Sequence, residues 1–110
     1  MALGMTSTAA VYTIQAMKAL IISDGVLAKL KDRHKVSRLE VEQCFQNRAG
    51  QLLMDDRTLT KTEPPTLWFL ALTNKGRCLK VVYIQRGETI DLKTAYEPND
   101  EESRIYKRYG

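Results

Sequence analysis

The sequence predicts a single α+β domain, in which helices and strands occupy separate parts of the chain. Helix start signals and helical apolar spacing dominate the first half of its 110 residues. From residue 51 onward, short apolar runs alternate with turn residues, which is typical of strands. We therefore expect two N-terminal helices packed on a small antiparallel sheet of about four strands, followed by a C-terminal helix.

The first predicted elements are a short strand and a basic helix. Residues 10–22 fit either periodicity, and we favour a strand over about 17–23. Residues 1–16 are then an N-terminal extension, disordered or helical, and 17–110 form the domain. Ser23 can cap a helix over about 25–34, whose basic end suits the negative pole of the helix dipole.

The clearest helix start is a Ser-x-x-Glu capping box. The Ser37 and Glu40 side chains can each accept a hydrogen bond from the other residue's backbone amide. Val36 and Val41 flank the cap as a hydrophobic staple. The pattern predicts a helix over about 38–47, which ends before Gly50.

Four strands and a last helix follow. The strands are predicted over about 51–54, 66–72, 77–85 and 89–96. Alternation assigns the core face of the final hairpin to Leu79, Val81, Tyr83, Ile90, Leu92 and Thr94. The last helix opens at residue 98, with acidic residues in its first turn and basic residues in its last.

Two lysines share the opposite face of that hairpin. An Arg86-Gly87 turn puts Lys80 directly across from Lys93, whereas a Gly87-Glu88 turn makes the two lysines diagonal neighbours. Facing like charges cost about 0.2–1 kcal/mol, so the pair suggests a site for a phosphate or a carboxylate. Arg77 lies near enough to contribute. The alternative is that both lysines extend into water.

Composition narrows the function classes. A net charge of +4 and a pI near 9.2 suit a nucleic-acid or acidic-protein partner, or only a lysine-rich surface. The two cysteines and one histidine have no metal-ligand spacing, so we expect reduced thiols in a cytoplasmic protein without metal or cofactor. No segment has the roughly 20 apolar residues needed to cross a membrane.

Three short motifs carry a family resemblance. Residues 33–36 (Arg-His-Lys-Val) precede the capping-box helix, residues 94–96 (Thr-Ala-Tyr) end the last strand, and Glu102 to Tyr106 lie in the last helix. This order, over about residues 18–109, resembles the BrnT-type toxins, which are similar in fold to the RelE/ParE superfamily. The family has glycine where Lys35 stands. Its central acidic signature is weak here, and residues 62–74 look like those of a distinct subgroup.

The resemblance implies a type II toxin that cuts mRNA without a metal ion and is silenced by a cognate antitoxin protein; a homodimer is also open. In such enzymes the RNA 2′-hydroxyl attacks its own phosphate, so the protein supplies a proton acceptor, a proton donor and cations. On this basis the catalytic candidates are His34, Lys80, Lys93 and Tyr96, and the RNA-binding or phosphate-binding candidates are Arg77, Arg104 and Tyr106. Each also has a purely structural interpretation: a helix-end histidine, packing tyrosines and a solvated arginine.

Two other functions compete with this one. The chain has a single histidine, so a non-catalytic binding module on the same scaffold remains open. The Pro-Pro-Thr-Leu-Trp-Phe stretch at residues 64–69 resembles sequences labelled ADP-ribosyl-(dinitrogen reductase) hydrolase. True hydrolases of that kind are larger helical proteins with clustered aspartates binding two Mg²⁺ ions. Here only Asp55 and Asp56 are adjacent acids, so this function is the least favoured.

Overall fold

A computed structural model describes residues 19–54 and 64–110. Over these residues the chain is an α+β fold with three α-helices and a mixed five-stranded sheet of order β1-β5-β4-β3-β2. The strands are β1 (Leu20–Ile21), β2 (Leu53–Met54), β3 (Thr66–Leu72), β4 (Cys78–Arg86) and β5 (Thr89–Tyr96). The helices are α1 (Asp24–Lys29), α2 (Arg38–Asn47) and α3 (Asp100–Tyr109). The predicted extension 1–16 lies outside the described residues.

The sheet differs from the predicted antiparallel sheet of about four strands. A fifth strand, β1, joins its edge and runs parallel to β5, with Leu20 beside Ile90. The other neighbouring strands are antiparallel. Because β1 is only two residues long, sequence periodicity could identify an extended segment near residue 20 but not its partner.

The predicted helix over 25–34 is two structures in succession. Ser23 caps α1 by accepting a hydrogen bond from the Val26 amide at 3.3 Å. After Lys29 the chain widens into a π-helical turn, Leu30–His34. Lys35 ends the turn in the left-handed conformation, with φ 55° and ψ 44°, and the backbone amides of Lys35 and Val36 both donate to the Leu30 carbonyl.

The predicted capping box at the start of α2 is confirmed. The Glu40 amide donates to Ser37 Oγ at 3.2 Å, and the Ser37 amide donates to Glu40 Oε1 at 3.0 Å. Val36 and Val41 are both buried, as the staple requires. Further along α2, burial raises the pKa of the Cys44 thiol to about 12, which makes this cysteine an inert packing residue.

The main core lies between one face of the sheet and the helical segment that precedes β2. Its buried members are Leu20, Leu30, Val36, Val41, Cys44, Phe69, Ala71, Leu79, Val81, Tyr83, Ile90, Leu92 and Ala95. Phe45 of α2 packs edge-on against Phe69 and Tyr83, with ring centroids 5.1 and 5.3 Å away. α3 contacts the opposite face of the sheet. On that face Tyr106 and Glu102 of α3 meet Trp68 and Lys80 of the sheet.

A β-bulge in the last hairpin changes the predicted side-chain pairing. The Gly87-Glu88 alternative for the turn is confirmed, with Gly87 at φ 62° and Arg86 opposite Thr89. Tyr83 lies opposite Leu92, but the preceding residue of β4, Val82, lies opposite Thr94. The register therefore shifts by one residue, and Lys93 is the extra residue in β5. The extra residue resets the alternation of β5, since both residues of a bulge oppose one residue of the partner strand.

The bulge overturns both predicted arrangements of the lysine pair. Lys80 lies opposite Tyr96, Val82 lies opposite Thr94, and Lys93 has no opposite residue on β4. Ala95, rather than Thr94, takes the core position and is fully buried. Lys80 and Lys93 are therefore not cross-strand neighbours.

Candidate functional site

Lys80 occupies an enclosed position on the α3 side of the sheet. Its Nζ lies 2.6 Å from Glu102 Oε2, 4.5 Å from the centroid of the Trp68 ring and 5.7 Å from that of Tyr96. The Lys80 side chain is 12% exposed and that of Glu102 is 15% exposed. The ammonium group is thus neutralised by a carboxylate and flanked by aromatic faces, which attract cations.

Glu102 is held in place by its position in α3. It is the third residue after the cap Asn99, and its Oε1 accepts the Asn99 backbone amide at 3.0 Å. Its Oε2 accepts both Lys80 Nζ and the Tyr96 hydroxyl, the latter at 2.7 Å. Burial alone raises the pKa of Glu102, but these hydrogen bonds and the Lys80 charge outweigh burial and hold the pKa below its ordinary value.

His34 joins this group through Tyr96. The two rings are 5.4 Å apart between centroids and tilted by 34°. His34 is the last residue of the π-helical turn, and Tyr96 is the last residue of β5. We call His34, Lys80, Tyr96 and Glu102 the His34–Lys80 cluster. It gathers an imidazole, a phenol, a carboxylate and an ammonium group from four separate segments.

Arg77 braces the same region from the turn before β4. Its guanidinium donates to the carbonyls of His34 and Lys35 at 2.9 and 2.7 Å. It also pairs with Glu40 and Glu97, each at 3.1 Å. Burial lowers the pKa of Arg77, but the two carboxylates more than offset this and raise it overall. Arg77 therefore fixes the end of the π-helical turn, and with it the backbone of His34.

The other predicted site residues lie apart from the cluster. Lys93 is exposed at the bulge, and Arg104 is exposed on α3. Tyr106 packs on Trp68 at 5.6 Å between centroids and donates its hydroxyl to the Gln51 carbonyl at 2.7 Å. Of the seven predicted residues, the structure thus brings together His34, Lys80 and Tyr96, with Arg77 adjoining them.

Glu102, which links Lys80 to Tyr96, was noted in the last-helix motif but was not predicted as a site residue. A signal for it was present, because Asn99 and Glu102 have capping-box spacing and a carboxylate at that position points back toward the preceding strand. Trp68 was also missed as the neighbour of Lys80. The contact of Trp68 with Lys80 is a diagonal one and depends on the register of β3 with β4. Trp68 lies directly opposite Val82, and Leu70 lies directly opposite Lys80.

Metal and membrane sites have no counterpart in the described part of the chain. Within residues 19–54 and 64–110, no three histidine, cysteine, aspartate or glutamate side chains are grouped as metal ligands would be. Asp55 and Asp56, the acids considered for magnesium, lie outside these ranges. None of the described helices has the length and apolar character needed to cross a bilayer.

Comparisons with protein-family models, curated proteins and solved structures find no match to this chain. The geometry of the His34–Lys80 cluster and its surroundings is therefore what bears on the function.

Proposed function

We propose that the chain is a metal-independent endoribonuclease of the BrnT-like toxin type, with a RelE-like fold in which the helices before the sheet pack on it. The observation that carries this proposal is the contact of the His34 ring with Tyr96, whose hydroxyl is tied to Glu102 and Lys80. RNA cleavage by the 2′-hydroxyl needs a proton acceptor and a proton donor at one phosphate. His34 and Tyr96 are two such groups in contact.

The residues divide the reaction as follows. The His34 imidazole accepts the proton of the 2′-hydroxyl as the 2′-oxygen forms its bond to phosphorus. The bond from phosphorus to the 5′-oxygen breaks, and this oxygen takes a proton from the Tyr96 hydroxyl. The products are a 2′,3′-cyclic phosphate and a 5′-hydroxyl. Tyr96 recovers its proton from the imidazolium or from water.

Lys80 and Glu102 serve this reaction by positioning Tyr96. Glu102 accepts the Tyr96 hydroxyl, and Lys80 holds the same carboxylate oxygen. When Tyr96 gives up its proton, the Lys80 ammonium group offsets the repulsion between the Glu102 carboxylate and the phenolate. Arg77 contributes by fixing the carbonyl of His34. Arg104 and Tyr106 remain proposed contacts for the rest of the RNA, and Lys93, predicted as a catalytic residue, joins them in that role.

The proposal includes mRNA as substrate, a cognate antitoxin as partner and the cytoplasm as location. An antitoxin would inhibit by covering His34, which is half-buried.

A second candidate function is a binding module without turnover. The observation that favours it is the internal pairing of the two cations predicted to meet phosphate. Lys80 is neutralised by Glu102, and Arg77 is neutralised by Glu40 and Glu97. In this case the chain binds RNA or an acidic protein through other cations and breaks no bond.

Cleavage of a long unstructured RNA in the presence of chelator tests the proposal. We expect the wild type to cut, and His34→Gln to lower the rate about 100-fold or more, since acid–base groups typically contribute 10²–10⁴-fold. Tyr96→Phe keeps the ring contact with His34 and removes the hydroxyl, so it should also slow cleavage. Tyr109→Phe is the matched control, because Tyr109 is an exposed tyrosine at the end of α3 and is not part of the cluster.

Two outcomes count against catalysis at this site. Unchanged cleavage by folded His34→Gln would exclude His34 as the proton acceptor. A wild type that binds RNA and never cuts it would leave the binding module as the function.

A further inference from the structure

A run of exposed cations lies within and on either side of the π-helical turn. Within it Leu30 is fully buried and His34 is half-buried against Tyr96, so these two residues, four apart, face the protein. Lys29, Lys31, Arg33 and Lys35 are all exposed. We call these four residues the basic turn. The turn places a cation on either side of His34 in sequence and presents all four to solvent.

The basic turn concentrates the positive charge of the chain. Between residues 29 and 35 only Asp32 is acidic, so this stretch carries three of the four net charges of the whole sequence. No described carboxylate forms an ion pair with any of the four cations. By contrast, Arg38, Arg77, Lys80 and Arg86 each pair with a carboxylate. Among the described residues, the four cations of the basic turn thus form no ion pair, and Asp32 offsets one of their charges in sequence.

The backbone at Lys35 is fixed in an unusual conformation. Lys35 is the only non-glycine residue with positive φ among those the structure describes. Glycine is the usual residue at such a left-handed helix end, because a Cβ atom there is sterically unfavourable. The Lys35 carbonyl is also held by Arg77 at 2.7 Å, so the conformation is fixed. The exposed Lys35 side chain is thus carried by a backbone that is held in one conformation.

The aromatic pair beside the turn indicates which polyanion fits. Proteins that bind single-stranded nucleic acid combine a basic track for the phosphates with aromatic faces on which bases stack. The His34 and Tyr96 rings lie in contact where the basic turn meets the sheet. An acidic protein would need the cations alone, whereas a single-stranded RNA uses both features.

We propose that the basic turn binds the phosphodiester backbone of single-stranded RNA and leads the strand to His34 and Tyr96. This inference rests on the proposed function for the choice of RNA over DNA as the single-stranded ligand. Lys31 and Lys35 are both exposed and lie within four residues of each other, so both can meet phosphates of one strand. Binding through this surface does not require that the RNA be cut.

The test is the salt dependence of RNA binding, measured by fluorescence anisotropy with a labelled single-stranded RNA. Removing two phosphate contacts makes the negative slope of log affinity against log salt shallower by about 1.4. At about 0.1 M salt this corresponds to a loss of affinity of about 25-fold. We expect this for Lys31→Gln/Lys35→Gln. The control is Lys107→Gln/Arg108→Gln, which removes the same charge from the exposed end of α3 and should leave the slope unchanged.

A single variant separates charge from backbone strain. Lys35→Gly relieves the left-handed residue, so its melting temperature should equal or exceed that of the wild type. Its RNA affinity should nevertheless fall about fivefold at about 0.1 M salt, the loss expected for one phosphate contact.

The outcomes distinguish this inference from the proposed function. RNA binding that depends on the basic turn, without cleavage, supports the inference and contradicts the ribonuclease. Cleavage with equal salt slopes in both double variants overturns the inference and retains the ribonuclease. Binding of poly-glutamate but not of RNA also overturns it, and would make the basic turn a surface for an acidic protein.

Discussion

The ion pair between Lys80 and Glu102 permits a direct test of how α3 is held on the sheet. The perturbation is Glu102→Gln, which removes the charge and keeps the side-chain length. Glutamine also supports a capping box, so the start of α3 is preserved. The change therefore acts on the bonds that Glu102 accepts from Lys80 and Tyr96 at 2.6 and 2.7 Å.

The expected loss follows from those two bonds. A hydrogen bond to a charged group contributes about 1.5–3 kcal/mol, and a neutral one about 0.5–1.5 kcal/mol. Glutamine has a single acceptor oxygen, so when this oxygen keeps the Asn99 amide, the amide nitrogen replaces Oε2 and cannot accept from Lys80. Losing that charged bond costs about 2 kcal/mol in the free energy of unfolding. For a domain of this size that lowers the melting temperature by about 8 °C. The Trp68 and Tyr96 rings still attract the Lys80 ammonium group in the variant. The loss of stability is therefore smaller than when a fully buried charge loses its partner.

The chain contains a matched control for this change. Arg38 and Glu42 form an exposed pair at 3.2 Å on α2, with side chains 43% and 25% exposed. Glu42→Gln should cost only about 0.3–0.5 kcal/mol, the usual contribution of a helical surface pair.

Urea denaturation measures both variants. Far-UV circular dichroism reports the helices, and the fluorescence of Trp68, the single tryptophan, reports the surroundings of Lys80. A double-mutant cycle of Lys80→Met with Glu102→Gln should give a coupling energy of about 2 kcal/mol. Equal losses for Glu102→Gln and Glu42→Gln, or a coupling near zero, would refute the argument.

Two further predictions concern acid stability and packing. Burial raises the pKa of Glu102, but its hydrogen bonds lower the net value below the ordinary 4.5, so the unfolded chain takes up this proton at a higher pH than the folded one. The stability that Glu102 contributes is therefore complete above about pH 4.5 and is lost as the pH falls through the pKa of the folded state. Urea titrations at several pH values should show that the free energy of unfolding falls less steeply with acid in Glu102→Gln than in the wild type. A Cβ atom at Gly50 would lie 2.9 Å from two ring carbons of Tyr106, so Gly50→Ala should lower the free energy of unfolding by about 1–3 kcal/mol. Gly25→Ala, in α1 with open space around it, should instead be neutral or stabilising by up to about 1 kcal/mol. Thermal melts measure both variants, and equal changes in their melting temperatures would contradict the steric explanation.

Local chemistry in the sequence predicted the starts of helices and the last turn. Ser23 and Ser37 cap helices as expected, because a capping side chain bonds an amide only a few residues away. Gly87 leads the hairpin turn with the positive φ that glycine tolerates. These signals lie within a few residues of the structure they determine, so a single sequence reveals them.

Pairing across the sheet was less accessible to sequence reasoning. Lys93 and Thr94 are both polar, so nothing in their order showed that β5 gains a residue there. That one residue moved Tyr96 opposite Lys80 and created the group that includes Glu102. The cluster was therefore predicted in part, as His34, Lys80 and Tyr96, while the bonds that join its members depend on a bulge that alternation cannot reveal.

The parallel pairing of β1 with β5 has a consequence for the order of folding. The hairpin of β4 and β5 closes through the two-residue turn Gly87-Glu88, whereas β1 joins only when residues 20 and 90 meet. Closing a long loop is entropically costly, so we expect the hairpin to form early and the β1 edge to dock late. His34 lies between β1 and α2 and meets Tyr96 across that late contact. A chain emerging from the ribosome thus cannot assemble the cluster until its segment up to residue 102 has been released.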